Sequence, residues 1–229
     1  MVGMLRSAGL SGGLQGLVTM ARVVDDRALI TLMRAISSGD RGVASELLAA
    51  TSELGVARLV ATGANRARAA EFFLADCGVY MYAGHTALHV AAAAYDTGFA
   101  RKLVGAGANV RAKNRRGAEP LHEAVSGGPG SRGWDPRRQA AMVAYLIGVG
   151  ADPDAVASGG VTPLHRAVRN RCSAAVRALL DAGADPHRAN NSGSTAIMLA
   201  RWTTGRGGSG SPAAKAEQDK ILSILALTC

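Results

Sequence analysis

Aromatic side chains are scarce in this 229-residue chain, with three Phe, two Trp and four Tyr, 4% of the total. A sequence so short of large rings has few of the anchors that fill a wide globular interior. At 48% hydrophobic residues it can still bury a core, which excludes disorder throughout. No apolar run approaches the roughly 18 residues of a bilayer span, and 29 glycines fall far below the one-third of a collagen. Cysteine is also rare. Cys77, Cys172 and Cys229 are odd in number and far apart, with no Cys-x-x-Cys pair for zinc or redox chemistry, so reduced thiols in a cytoplasm are expected. Carboxylates are the minority charge: 17 Asp and Glu face 26 Lys and Arg, for a net charge of +9, and only four of the cations are Lys. Arg forks match carboxylates and phosphates, which points to an acidic protein or a nucleic acid as partner. GC-rich coding would yield the same Arg- and Ala-rich composition without any partner.

The amino end from Met1 to Met20 is acid-free, yet Gly12, Gly13, Gln15 and Gly16 interrupt any secretory hydrophobic region. Residues 1–25 are therefore expected to be a disordered tail, or to lie partly upstream of a true start at Met20.

Self-similarity dominates the rest. Gly84-His-Thr-Ala-Leu-His89-Val-Ala91 recurs as Gly117-Ala-Glu-Pro-Leu-His122-Glu-Ala124, as Gly160-Val-Thr-Pro-Leu-His165-Arg-Ala167 and, more worn, as Gly193-Ser-Thr-Ala-Ile-Met-Leu-Ala200. The opening glycines stand 33, 43 and 33 residues apart. A second marker, Gly-Ala-Asn/Asp, falls at 107–109, 150–152 and 183–185, so the ten extra residues of the second copy lie between its helices, where Ser126 to Trp134 reads as loop. The Thr-Pro of the third copy can start a short helix, Thr by capping free amides and Pro by losing no hydrogen bond at the first helical position, and the other copies keep one of the two, Thr86, Pro120 or Thr195. A second helix such as Ser173 to Ala182 carries Ala175, Val176, Leu179 and Leu180 at helical spacing. Gly183 then stops it in a left-handed turn. Neither helix of a pair can bury its face alone, so the units must stack in a one-dimensional array.

These residues resemble the ankyrin repeat, with its period of about 33 and its Thr-Pro-Leu-His-x-Ala signature. The resemblance implies an all-α solenoid of stacked helix-turn-helix units with short β-turn fingers, and four repeats at 84–116, 117–159, 160–192 and 193–229. Upstream, two amphipathic stretches joined at Ser38-Gly39-Asp40 read as a degenerate first unit over 26–58. Residues 59–83 read as an inserted helix and connector: Asn65 to Asp76 is expected to be helical and to bury Phe72, Phe73 and Leu74, with Val79 to Tyr82 extended. Glu119 in the usual Thr slot and Ile197-Met198 in place of Leu-His depart from the pattern. A closing helix is expected at about 213–227, where polar Lys215, Glu217, Gln218, Asp219 and Lys220 suit a terminal cap on a complete array.

The recurring His89, His122 and His165 invite a metal reading. Copies on neighbouring units would stand about 10 Å apart, far beyond metal bonds of roughly 2 Å, and in the resembled family this His ties finger to helix. No metal and no cofactor are expected. His85 and His187 are expected to face solvent. The glycines at 127–130 and 205–210 lack the Lys-Ser/Thr and the strand-to-helix setting of a phosphate loop, so flexible loop is expected there. Neither Cys172 nor Cys77 has a marked activating partner, and the chain is read as a non-enzyme.

The resemblance places partner-reading positions on the concave face, at the finger tips and the inner helices. Tyr, Trp and Arg usually dominate interface energy. Tyr82, Arg115, Arg116, Arg169, Asn170 and Trp202 are accordingly the expected partner-binding residues. The function implied is that of a protein-protein interaction module whose partner presents an acidic surface, with no membrane contact. Nucleic-acid binding through the basic finger at 111–116 is one alternative. A ligand-binding protein or enzyme using the 49–83 insert, where Tyr80 and Tyr82 cluster, is another.

Overall fold

The computed structural model describes residues 25–60, 72–201 and 211–227. Helices α1 (Asp26–Ser38), α3 (Ala87–Ala93), α5 (Pro120–Ala124), α7 (Pro163–Arg169) and α9 (Ala196–Arg201) form an inner row, each packed on the next. Their partners α2 (Arg41–Ala50), α4 (Thr97–Gly105), α6 (Pro136–Gly148), α8 (Ser173–Asp181) and α10 (Pro212–Ala226) form the outer row. Within that row α4 packs on α6, α6 on α8 and α8 on α10. One apolar core runs without interruption from Leu29 to Leu225. Small residues make this close stacking feasible: Ala87, Ala91, Ala92, Ala124, Ala167 and Ala175 are all fully buried. The fold is an ankyrin solenoid.

Local chemistry explains the boundaries. The side chains of Asp40, Asp96 and Asp135 accept first-turn amides of α2, α4 and α6. Cys172 at the same place offers no cap, and Glu217 from α10 supplies one across the units, its Oε2 accepting the Ser173 amide at 3.1 Å. The outer helices lead into fingers whose neighbours are joined in sequence. Arg115 N donates to Ala83 O, Ser158 N to Arg116 O and Asn191 N to Gly159 O, at 2.8 to 2.9 Å. The approach is close enough to need glycine: a Cβ on Gly160, where φ is 72°, would lie 2.7 Å from the Asn191 amide nitrogen.

Two expectations for the connector are corrected. From residue 72 onward it is a hairpin, not a helix, with β1 (Phe73–Leu74) paired antiparallel to β2 (Val79–Tyr80); residues 61–71 lie outside the described ones. Gly78 at φ 69° reverses the chain between the strands. Strand alternation then separates the three residues expected to be buried together, since Phe72 and Leu74 point inward while Phe73 is 38% exposed and packs on the Tyr80 ring.

Candidate functional site

Each inner helix from α3 to α7 begins with a buried imidazole that joins two units. His89 Nδ1 accepts the Thr86 amide and lies 2.9 Å from the Thr86 hydroxyl, while its Nε2 reaches the Ala118 carbonyl of the next finger at 3.1 Å. His165 repeats this with Thr162 and the Ser194 carbonyl at 2.9 Å. His122 accepts the Glu119 amide and reaches the Val161 carbonyl at 3.1 Å. Nδ1 accepts and Nε2 donates, so each ring must be neutral with its proton on Nε2. Burial enforces that state, pushing His89 down to about 3 and His122, also under the influence of Arg166, down to about 4. Among the described residues no group of His, Cys, Asp and Glu has the arrangement of a metal site.

His85, expected to face solvent, is fully buried. Its Nδ1 accepts the Tyr82 amide at 2.9 Å, its ring packs on those of Tyr82 and His89, and its Nε2 lies 3.9 Å from Glu123 Oε1. Gly84 at φ 82° turns the chain beside it, with His85 N donating to Tyr82 O at 2.9 Å. His187 is exposed. Glu123 is the one carboxylate buried in this cluster. Burial would raise its pKa, but Arg166 at 3.4 Å, the two imidazoles and the Ser126 hydroxyl hold it below the ordinary carboxylate range.

At the fingers the structure brings three of the expected partner-binding residues together. The guanidinium carbons of Arg115 and Arg116 lie 4.8 and 4.6 Å from the centroid of the Tyr82 ring, a cation–π arrangement that holds two like charges on one aromatic surface. Neither guanidinium has a carboxylate within 4 Å among the described residues. Arg58, which sequence reasoning missed because it lies outside the repeated motif, at the end of the degenerate first unit, reaches the same finger by donating Nη2 to the Lys113 carbonyl. Arg111 and Lys113 differ: Arg111 pairs with Asp152 at 3.1 Å, and both lie 3.9 Å from Glu119.

Arg169 ends α7 and is exposed. Asn170 beside it is half-buried and donates its amide to the Val125 and Ser126 carbonyls at 2.8 and 2.9 Å. Trp202 lies outside the described residues. The first glycine stretch is a loop, as expected, and it is packed against neighbouring units. Its Gly127 carbonyl accepts from Cys172 Sγ and from Gln139 Nε2, and a Cβ on Gly128 would collide with the Asn170 carbonyl oxygen. Close packing between units, invisible in a run of glycines, holds it. Burial pushes the Cys172 thiol up to about 12, which leaves it no nucleophilic thiolate.

Residues 137–206 match the family model described as ankyrin repeats in three copies, and residues 83–115 match the model of the ankyrin repeat. Mouse (Mus musculus) ankyrin repeat and SOCS box protein 16 is 37% identical over 117 residues. Those residues are 50% of this chain and 25% of that protein, so the match spans about a quarter of the relative's length. No helix among the described residues is long and apolar enough to cross a membrane. With the signature histidines bonded from unit to unit and the family models falling on the same units, residues 83–115 and 137–206 of the chain are ankyrin repeats.

Proposed function

We propose that this protein is a non-catalytic cytoplasmic binding module that holds a partner protein through its concave face, and that the partner presents an acidic patch to Tyr82, Arg115, Arg116 and Arg169. Ankyrin repeats are generally protein–protein interaction modules, which supports the class of function. The observation that carries the finer reading is the pair of arginines on the Tyr82 ring without carboxylate partners. Two cations held side by side repel one another until an anion arrives, and rings and guanidinia are the groups that dominate interface energy. Asn170 contributes its remaining carbonyl oxygen, and Trp202 is proposed to extend the same face.

Affinity capture from the source cell, comparing wild type with Arg115→Glu/Arg116→Glu and with the outer-helix control Arg137→Glu, tests this reading. Expected is a set of proteins lost from the finger variant alone; equal recovery from all three would sink the assignment. Nucleic acid is the competing partner for a chain of net charge +9. It would announce itself as a gel shift that weakens steeply with salt. The pairing of Arg111 and Lys113 with Asp152 and Glu119 speaks against it, because it reduces the charge left for phosphates.

A further inference from the structure

The turns between helices lie at the opposite end of each pair from the fingers, and on that edge they enclose a polar cleft of about 340 Å³. Its walls are the α1–α2 turn at Ser37 to Gly39, the hairpin turn at Asp76 and Cys77, the α3–α4 turn at Ala94 to Asp96, and the insert at Ser131 to Gly133. Arg41 from α2, Arg132 from the insert and Arg138 from α6 all line it.

The counter-charges of these three are unequal. Arg41 and Asp96 form a bidentate pair at 2.9 Å on both arms, and the same carboxylate also accepts the Phe99 amide, so Asp96 is satisfied and the pair is neutral. Arg132 meets Asp76 at 3.6 Å with the side chains 76% and 45% exposed, the weakest class of ion pair. The Arg138 guanidinium has no carboxylate within 4 Å among the described residues and feels Asp96 only at longer range. It donates to the Ala94 and Tyr95 carbonyls at 3.3 and 3.2 Å, bonds that orient the guanidinium without neutralising it.

We propose that this cleft is a second ligand site, separate from the finger edge, and that it binds a phosphoryl group through Arg132 and Arg138 with Arg41 as a third donor. One guanidinium fork already satisfies a planar carboxylate, as Arg41 does for Asp96. Guanidinia reaching a cleft from three elements suit a tetrahedral oxyanion, whose oxygens point in several directions. The bound group displaces Asp76 from Arg132 and leaves the Arg41–Asp96 pair in place.

Isothermal titration of the full 229-residue chain tests the site with three probes: inorganic phosphate, a short peptide carrying one phosphoserine, and its unphosphorylated twin. Expected is saturable binding of a phosphorylated probe and none of the twin. That binding weakens about tenfold or more in Arg132→Ala and in Arg138→Gln and is unchanged in Arg115→Glu. Phosphate binding as tightly as the phosphopeptide identifies a free anion as the ligand's source. Phosphate binding about tenfold weaker identifies a phosphorylated side chain. Arg132 is mostly exposed and, among the described residues, forms an ion pair only with Asp76, so its removal leaves the thermal melt unchanged and separates lost binding from lost folding. No saturable binding of either phosphorylated probe at millimolar concentration, or binding indifferent to both substitutions, overturns the proposal.

Discussion

The two edges of the stack are held by different devices. Along the finger edge one device recurs, a buried imidazole bonded at Nδ1 to its own helix start and at Nε2 to the next finger. Along the turn edge the Asp40, Asp96 and Asp135 caps recur within units, but the side-chain bonds that cross between units differ from one turn to the next. Asn170 grips the Val125 and Ser126 carbonyls, Gln139 joins Tyr95, Ala124 and Trp134, and Arg41 crosses to Asp96. A repeated device can be lost from one unit and kept in the others. A unique one leaves its turn with nothing equivalent.

Acid should act on the finger edge most strongly. The folded pKa values of His85, His89, His122 and His165 lie below the ordinary 6.5, so the unfolded chain takes up protons first. Stability is full above about pH 6.5 and declines below it, until His89 protonates in the folded chain at about 3 and His122 at about 4. The slope is about 1.4 kcal/mol per pH unit for each site. Thermal melts should therefore fall steeply between pH 6.5 and 4; a flat profile would show that the imidazoles do not carry this edge.

Single substitutions sharpen the contrast. His122→Ala should cost about 3 kcal/mol in denaturant unfolding, because it opens a cavity and leaves the Glu119 amide and the Val161 carbonyl unpaired. Gly128→Ala, on the turn edge, should cost about 2 kcal/mol, since its Cβ meets backbone and not a side chain that can swing away. A smaller loss than that of an exposed alanine replacement would mean that the insert yields freely.

Glu119 offers a gain. It is fully buried at the start of α5, neither of its oxygens has a hydrogen bond, and burial raises its pKa against the pull of Arg111 and Lys113 and with the push of Asp152. His122 faces it through the helix amide. Glu119→Thr restores the cap seen at Thr162 and should raise stability by about 1 to 2 kcal/mol. The sign of its pH dependence is opposite to that of the histidines. With a raised folded pKa the acid is harmless while protonated and destabilising once charged, so the gain should be largest near neutrality and fade on acidification. The smallest effect belongs to Phe73→Ala, below about 1 kcal/mol, because a residue 38% exposed has half-left the core already.

Legibility followed periodicity. The inner helices and the fingers could be read because each appears more than once, and coincidence does not repeat at 33 residues; the role of His89, His122 and His165 came from the resemblance to the ankyrin repeat. The hairpin at 73–80 appears once, and its Phe72, Phe73 and Leu74 suit a helix or a strand equally; the Gly78 turn was the signal available. His85 was misjudged because its burial comes from the finger folding over it. Of the expected face, Tyr82, Arg115 and Arg116 meet at one ring, a meeting that numbers 33 positions apart suggest only once the stacking register is known.

The sequence alone determined that this chain is a stack of helix pairs, where each pair starts, and which imidazoles recur at the helix starts, since those properties depend on local caps, turns and spacing. Only the tertiary structure decided what the insert packs against, where the hairpin runs, and which arginines lack a counter-charge. Those depend on contacts between residues far apart in the chain, and a side chain's charge balance is set by whichever neighbours folding brings within a few ångströms.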